Sequence, residues 1–339
     1  MADRVLSQRD LNRATLARQL LLRRAKLPVP RALERVAGLQ AQLGSAPYIG
    51  LWSRLDGFRR GSLERALLSG KAARGVLMRG TVHLVAAPDY GLFAAALDVA
   101  PPGWVTQEAL SDADRVTAAL RRFTAEPRTR TEVLDWLLQE HEIDSGEMNG
   151  VWYALRLRAR IGHAPESSLW RSPIHNPRFV AVDCEELDGE AARARLVRRY
   201  LAAFGPATRA EISGWSGMKV ADFAHLLDGV VVLRDDGGRQ LLDLPRAPRP
   251  AGDTPAPVRF LPKFDNVLLD RARVLPEEYR RLIVRKNADV QPTFTVDGYV
   301  AGIWRVERGR VVTEAFAPLR RAAKRELADE AARFQAWLG

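Results

Sequence analysis

One pattern occurs twice in this chain, first as Pro127-Arg128-Thr129-Arg130-Thr131-Glu132-Val133-Leu134-Asp135-Trp136 and again as Pro206-Ala207-Thr208-Arg209-Ala210-Glu211-Ile212-Ser213-Gly214-Trp215. The shared form is P-x-T-R-x-E-[VI]-x-x-W. In each copy the threonine can cap a helix, and the glutamate three residues later can reach back to the cap backbone, which makes a capping box. The apolar residue and the tryptophan then share one helix face. We therefore predict that each copy begins a helix.

The surroundings of the two copies are alike as well. An amphipathic segment that predicts a helix precedes each of them, Ala113–Phe123 or Ala191–Phe204. After the second copy the pattern predicts a helix and then a hairpin: Val220–Leu227, Val230–Arg234 and Arg239–Leu244. After the first copy it predicts a helix and a strand: Asn149–Arg160 and Arg178–Asp183. Helices followed by a small hairpin are the order of a winged-helix unit.

The two ends of the chain complete the organisation. Near the N-terminus, Arg31–Leu39 and Ser62–Leu68 are predicted as helices, and Val76–Val85 as extended chain with a glycine break. After the Pro-rich segment Pro245–Pro257, which is typical of a linker, the C-terminal part changes character. It predicts a hairpin, a strand and a closing helix: Pro292–Arg305 around Asp297-Gly298, Arg310–Phe316 and Arg320–Leu338.

The predicted fold class is α+β, mainly α, with three tandem winged-helix units and a C-terminal β-rich domain closed by a helix. We place the units at residues 1–110, 111–190 and 191–250, and the C-terminal domain at residues 251–339. A length of 339 residues by itself suggests roughly two or three domains. The repeat is the reason for dividing the chain more finely.

The charge balance points to a polyanion. The chain has 52 Lys and Arg against 41 Asp and Glu, a net charge of +11. A positive field favours nucleic acid or an acidic membrane surface as the partner. Most of these cations are arginines, which suit bidentate contact with phosphate. Codon bias in a GC-rich genome can raise the arginine share, but it does not explain the net excess of positive charge.

Several classes of protein are not indicated. The apolar runs are far shorter than the ~20 residues that cross a bilayer, and no secretory signal is visible at the N-terminus. The lone Cys184 cannot form an intrachain disulfide. The five histidines are scattered without metal-ligand spacing, so we expect no metal and no cofactor. We expect a cytoplasmic, nucleoid-associated protein that does not contact membranes.

The segment Gly38-Leu39-Gln40-Ala41-Gln42-Leu43 is the most informative for chemistry. Residues i and i+2 on a helix point to different faces. Both glutamines can therefore face one site only if the predicted helix ends there and the chain extends, which Gly44-Ser45-Ala46-Pro47 permits. Taken alone, the segment is equally compatible with two glutamines that cap a helix C-terminus.

A set of strings in chain order resembles the AlkZ/YcaQ family of DNA glycosylases. They span nearly the whole chain: Gln40-Ala41-Gln42, Pro47–Arg54, Met78–Val85, Phe204–Thr208, Trp215–Gly217, Leu261–Leu269 and Val296–Arg305. The resemblance implies tandem winged helices in a C-shape with a C-terminal β domain. It also implies hydrolysis of the N-glycosidic bond of N7-alkylated purines, and some members of the family unhook interstrand crosslinks and protect antibiotic producers.

The family's catalytic motif has two polar positions around an apolar one, and the resemblance places Gln40 and Gln42 on them. The middle residue here is Ala41, a minimal side chain, and the second polar residue is Gln and not Asp. The second feature resembles the crosslink-resistance branch more than the broader one. For Phe264 and Asp265, which belong to another of the strings, the sequence does not yield a role.

Several residues are predicted to contact DNA. Arg79, Thr81 and His83 alternate along a predicted wing strand, so all three can face the same way. Arg156 and Arg160 share one face of a predicted recognition helix. We also expect a DNA contact from Arg54. The alternative for the first three is a polar strand face without a ligand. Tyr48, Trp52, Trp136 and Trp215 are predicted as packing residues.

The chemistry is that of a monofunctional glycosylase. A glutamine cannot act as a general base, but its carbonyl can orient water and its dipole can stabilise a positive sugar. The six lysines lie away from the motif, which disfavours a Schiff-base lyase. The expected partner is double-stranded DNA with N7-alkylguanine lesions, bound by a monomer. The main alternative is a winged-helix transcription regulator, which would dimerise on two half-sites, and a third is a non-hydrolytic damage sensor.

Overall fold

The protein is described by a computed structural model, which covers residues 5–98, 113–141, 148–170, 172, 176–268, 273–285 and 289–339. Its helices, in chain order, are α1 (Gln8–Arg18), α2 (Val29–Arg35), α3 (Ala46–Arg54), α4 (Arg60–Leu68), α5 (Ala87–Leu97), α6 (Ala113–Phe123), α7 (Arg130–His141), α8 (Met148–Arg158), α9 (Gly189–Phe204), α10 (Arg209–Ser216), α11 (Glu277–Ile283) and α12 (Arg321–Leu338).

The strands alternate with these helices along the whole described chain. They are β1 (Val5–Leu6), β2 (Leu39–Gln40), β3 (Ala72–Val76), β4 (Val82–Ala86), β5 (Arg128–Thr129), β6 (Ile161–His163), β7 (Arg178–Ala181), β8 (Val231–Asp235), β9 (Gln240–Asp243), β10 (Arg259–Leu261), β11 (Thr293–Val296), β12 (Tyr299–Glu307) and β13 (Arg310–Ala315). The architecture is therefore mixed, with both helices and sheets.

The repeated pattern begins a helix in both copies, as predicted. In α7 the Thr129 hydroxyl accepts the Glu132 N–H at 3.2 Å, and the Glu132 carboxylate accepts the Thr129 N–H at 2.7 Å. In α10 the same two bonds join Thr208 and Glu211, at 3.1 and 2.6 Å. These reciprocal bonds satisfy backbone donors at the helix start that have no partner within the helix.

The described strands form three sheets. The largest has the order β2-β4-β3-β6-β7-β5, and it joins the first hairpin of the chain to the strands that follow the first repeat copy. The joint is the pairing of Arg74 in β3 with His163 in β6. A second sheet pairs the N-terminal β1 in parallel with the β8–β9 hairpin, and the third is the antiparallel meander β10-β11-β12-β13. The sequence patterns did not predict β6, the strand that connects the two parts of this sheet.

Two sequence predictions of local structure were wrong. The segment Val220–Leu227 contains only a single 3₁₀ turn, Val220–Asp222, because Phe223 is its one fully buried side chain and a stable helix needs a longer apolar face. The helix predicted to reach Leu39 ends at Arg35, because Ala37 and Gly38 take positive φ angles of 57° and 79°. The hairpin at Asp297-Gly298 and the closing helix α12 were predicted correctly.

The apolar cores show how the sequence segments pack. The core around α6, α7 and α8 contains only residues between Val116 and Phe179. A second core mixes N-terminal side chains such as Tyr48 and Leu51 with Phe260 and Phe334 of the C-terminal part. The C-terminal sheet and α12 therefore pack directly against the N-terminal helices. The division into four domains stays a prediction, because a shared core does not mark where a domain ends.

Candidate active site

In the Gln40-Ala41-Gln42 segment, Gln40 lies in the short strand β2 and Gln42 lies in the bend that follows it. A turn at Ala37 and Gly38 redirects the backbone from α2 into β2. Gly38 is required there, because its φ is 79° and a Cβ would stand 2.6 Å from the Cγ1 atom of Val85. Leu39 and Ala41 are buried in the core, Gln40 is nearly buried, and Gln42 is exposed just after the strand.

Hydrogen bonds from two neighbours, Val82 and Arg74, fix the backbone of this segment. The Ala41 N–H donates to the Val82 carbonyl of β4 at 2.7 Å. The Arg74 guanidinium donates to the Ala41 carbonyl through Nε and Nη2, at 3.1 and 2.9 Å. Burial lowers the pKa of Arg74 to about 10, and the side chain still stays charged at neutral pH. The path of the chain between the glutamines is therefore set by its neighbours.

The two side chains differ in exposure. Gln42 is exposed, and its Oε1 accepts the backbone N–H of Val82 at 2.9 Å. Gln40 is only 7% exposed, and its Oε1 lies 3.4 Å from the Nη2 donor of Arg79. Each carbonyl oxygen has two acceptor sites, so both can also accept a bond from water. The segment therefore carries two amide groups, one open to solvent and one held against a cation.

Arg79 comes from the tight turn between β3 and β4, where its φ is 53°. Its guanidinium donates to the Trp215 carbonyl at the end of α10 as well as to Gln40. Gly80 has no side chain at the point where the ring of Tyr153 packs on the turn, and a Cβ would overlap the Tyr153 hydroxyl. Burial lowers the pKa of Arg79 to about 10. The structure therefore turns this arginine toward protein acceptors, where the sequence predicted a DNA contact.

The structure places His83, which was predicted to contact DNA, in the protein interior. This residue pairs with Gln40 across β2 and β4 and is fully buried. Its Nδ1 lies 2.9 Å from the Thr81 carbonyl. Burial, with a smaller effect from the charge of Arg79, lowers the pKa of His83 to about 3, so the ring is neutral. Alternation put Thr81 and His83 on one side of the strand, but that side faces the interior at His83.

Arg54, also predicted to contact DNA, lies in the interior as well. Its side chain is fully buried, and its Nη1 and Nη2 atoms each donate to the Asp265 carboxylate at 2.7 Å. Nη1 also donates to the Gly50 carbonyl one turn earlier in α3. A buried arginine paired in this bidentate way has no donor face left for a phosphate. No local sequence pattern predicts this partner, because Asp265 is far away along the chain.

The three other predicted DNA contacts are partly buried. Thr81 donates its hydroxyl to the Met78 carbonyl at 3.1 Å. The Arg156 guanidinium lies 4.9 Å from the ring centre of Tyr153, and Arg160 pairs with Glu186 at 2.9 Å. Arg156 is thus near the turn that carries Arg79, whereas Arg160 is paired elsewhere. DNA contacts by these three residues stay predictions.

Two residues that sequence reasoning did not assign complete the site. Asp265 holds Arg54, and Asn266 is bonded to the backbone of β2 on both sides of Leu39. Both lie in the string that resembles a family motif, which was the only signal for them. Within the described residues, no group of three His, Cys, Asp or Glu side chains is placed to hold a metal ion. Nor does any described helix combine the length and apolarity needed to span a bilayer.

Comparisons with known proteins agree with this architecture. The model of the family described as DNA glycosylase AlkZ-like matches residues 33–337. An interstrand DNA cross-link repair glycosylase from Streptomyces sahachiroi is 23% identical over 350 aligned residues, which cover 94% of this chain and 92% of that protein. The solved structure of the DNA glycosylase AlkZ from the same organism matches with a TM-score of 0.80 at 20% identity, over 99% of this chain and 97% of that one.

Proposed function

The chain belongs to the AlkZ-like family of DNA glycosylases, and from that premise we propose that it hydrolyses the N-glycosidic bond of N7-alkylated purines in double-stranded DNA. Gln40 and Gln42 are the catalytic residues in this proposal. The single observation that carries it is that the amide oxygens of both glutamines are held on a firmly anchored segment, that of Gln40 beside Arg79 and that of Gln42 on the Val82 N–H. The family resemblance places the same two positions in the catalytic motif.

The chemistry fits a site without a strong base. An N7-alkylguanine is already cationic, so it can leave the deoxyribose without being protonated. What remains is to stabilise the positive sugar and to guide water to its anomeric carbon. Amide carbonyl oxygens can do both, because they carry partial negative charge and accept bonds from water. Water adds its oxygen to the sugar carbon, and its proton passes to solvent as the neutral base departs.

The two glutamines have different parts in this proposal. Gln42 is exposed, and the Val82 N–H orients its carbonyl, so we assign it the contact with the attacking water. Gln40 is more enclosed and is held from the Arg79 side, so we assign it the electrostatic support of the sugar cation. A fixed dipole that needs no reorganisation during the reaction is worth more than a mobile one.

The substrate range follows from the relative. The Streptomyces sahachiroi protein is named as an interstrand DNA cross-link repair glycosylase, and we propose that this chain also unhooks crosslinked or bulky N7 adducts, in self-resistance or repair. Such adducts are hard to flip out of the duplex, whereas a small methyl adduct can be flipped as in other glycosylases. Access from a groove would serve the bulky class.

The DNA-binding part of the proposal rests on charge and organisation. Three winged-helix units in a C-shape would surround the duplex from one chain, so the protein would act as a monomer. The net charge of +11 supplies the attraction to phosphate. Because phosphate neutralisation releases counterions, affinity should fall steeply as salt rises.

The test is excision of N7-methylguanine from a duplex oligonucleotide, read as strand breaks after heat or alkali. We expect Gln42→Ala and Gln40→Ala to lower the single-turnover rate by about a hundredfold. The matched control is Gln335→Ala, because Gln335 also accepts a backbone N–H through Oε1, that of Val311 at 2.7 Å. The control should excise at the wild-type rate.

Wild-type rates in both glutamine variants would contradict the assignment of the catalytic pair. Sequence-specific retention of DNA without strand breaks by the wild-type protein would instead favour the regulator, and adduct binding without breaks would favour a damage sensor. The same oligonucleotide therefore separates all three functions.

A further inference from the structure

We infer that Asn266 is a positioning residue for the glutamine pair, and this inference rests on the proposed function. Asn266 lies in the 3₁₀ turn Asn266–Leu268, more than two hundred residues after the glutamines, and is 1% exposed. Its Oδ1 accepts the Gln40 N–H at 3.0 Å, and its Nδ2 donates to the Gly38 carbonyl at 2.8 Å. One side chain thus binds the backbone on both sides of Leu39.

The geometry explains why such a clamp is needed. β2 is at the edge of the six-stranded sheet, paired on one side with β4. In a strand, backbone groups point alternately to the two sides, so the Gly38 carbonyl and the Gln40 N–H face away from β4. An edge strand leaves those groups without partners. The amide of Asn266 supplies one donor and one acceptor, and so takes the place of a neighbouring strand.

Asn266 is itself held in place by its neighbour. The Asp265 carboxylate receives the two 2.7 Å bonds from Arg54, and it also accepts the Val267 N–H at 3.2 Å. Arg54 is in α3, the helix that follows the glutamine segment directly. The C-terminal segment therefore grips the catalytic segment at two points, on β2 through Asn266 and on α3 through Asp265.

The clamp acts on the reaction through the direction of the glutamine side chains. β2 has only two residues, so β4 alone gives it a short pairing. Without Asn266 the segment can pivot about its bonds to Val82, and both amides move together. Misplacement of catalytic groups by about an ångström can cost up to ~100-fold in rate even when binding is unchanged. The other buried clamp, from Arg74 to Ala41, limits the movement, so we expect a loss of about tenfold.

The experiment compares Asn266→Ala with Asn12→Ala. Asn12 is also buried and also makes two side-chain bonds to the backbone, in this case from Nδ2 to the carbonyls of Arg273 at 2.6 Å and Gly298 at 2.9 Å. It therefore matches the structural cost without touching the glutamine segment. Single-turnover excision of N7-methylguanine and affinity for the same duplex are measured well below the melting temperature of every variant.

We expect Asn266→Ala to excise about tenfold more slowly with its Kd within about twofold of wild type, and Asn12→Ala to lower Tm without changing the rate. Asn266→Ser introduces no charge and can keep one of the two backbone bonds at most, so its rate should fall between wild type and Asn266→Ala. If Asn266→Ala does not fold, Asn266→Ser carries the test. A wild-type rate in the folded Asn266 variants, or an equal loss in Asn12→Ala, overturns the inference.

A measurement that needs no DNA substrate, hydrogen–deuterium exchange, tests the clamp separately from the proposed function. The Gln40 amide should exchange with deuterium faster in Asn266→Ala than in wild type, and at the wild-type rate in Asn12→Ala. Unchanged exchange at Gln40 would also overturn the inference. If exchange and rate respond to Asn266 but Gln42→Ala is fully active, the clamp holds and the catalytic assignment fails. If Gln42→Ala is inactive and Asn266→Ala is normal, only the clamp fails.

Discussion

The two copies of the repeated pattern begin the same kind of helix but serve different surroundings. In α7, Trp136 is half-buried and stacks on Phe123 at a centroid distance of 4.8 Å, within a core made of its own segment. In α10, Trp215 is 7% exposed and packs among Phe93, Tyr200 and Phe204 in a core that joins distant parts of the chain.

The second copy also reaches the glutamine pair. The Trp215 carbonyl accepts a bond from Arg79, whose other donor faces Gln40. The shared pattern thus begins one helix that packs within its own segment and another that contacts Arg79, the neighbour of Gln40 in the candidate active site. The pattern therefore determines how a helix starts, whereas tertiary packing determines which residues that helix contacts.

We expect the largest difference between the two copies in the stability lost when each tryptophan is replaced by alanine. We expect Trp215→Ala to lower the free energy of unfolding by ~3–5 kcal/mol, because it empties a large buried site. Trp136→Ala should cost only ~1–2 kcal/mol, since its ring already meets solvent. Urea denaturation of both variants measures the difference. Equal losses of unfolding free energy would show that the two tryptophans contribute equally to their cores, contrary to this prediction.

Arg79 is the connection from the second copy to the site, so its loss should affect rate more than stability. We expect Arg79→Ala to slow single-turnover excision of N7-methylguanine by ten- to a hundredfold, ~1.4–2.7 kcal/mol in activation free energy. Arg128→Ala is the control beside the first copy, since Arg128 also donates to a backbone carbonyl, that of Phe123 at 3.2 Å. If Arg128→Ala slowed excision as much as Arg79→Ala, the second copy would have no special connection to the candidate site.

The pH dependence of stability gives a smaller test, because one histidine, His83, lies beside Arg79 and another, His163, lies near the first copy. Burial holds the pKa of His83 at about 3, against an ordinary value of 6.5, so only the unfolded chain takes up this proton between those two values. The stabilisation by neutral His83 is therefore complete above about pH 6.5 and is lost progressively toward pH 3, at ~1.4 kcal/mol per pH unit. His163, near the first copy, also has its pKa lowered to about 3 by burial, but its side chain is half-exposed.

The measurement is urea unfolding at about pH 7.5 and pH 5. In His83→Gln the stability difference between the two pH values should shrink by ~2 kcal/mol relative to wild type. His163→Gln should change it less, because water screens a half-exposed ring. A larger change in His163→Gln than in His83→Gln would reverse the expected order of the two regions.

Prediction from sequence succeeded where the governing contacts are local. Both capping boxes join residues three apart, and the Asp297-Gly298 turn closes its own hairpin. It did not predict the burial of Arg54 and His83, which look like exposed polar residues in their own segments. Their burial depends on Asp265 for the first and on the packing of β4 for the second. No local pattern contains that information.

The sequence by itself determined the helix starts, the hairpin turns, the excess of positive charge and the resemblance to a glycosylase family, since each depends on residues close together or on their sum. Only the tertiary structure decided that Gln40 is enclosed while Gln42 stays exposed, that Arg79 turns inward, and that Asn266 binds β2 across 226 positions of the chain. The physical reason is that a buried hydrogen bond or ion pair needs both partners brought out of water, and packing alone chooses which distant partners meet.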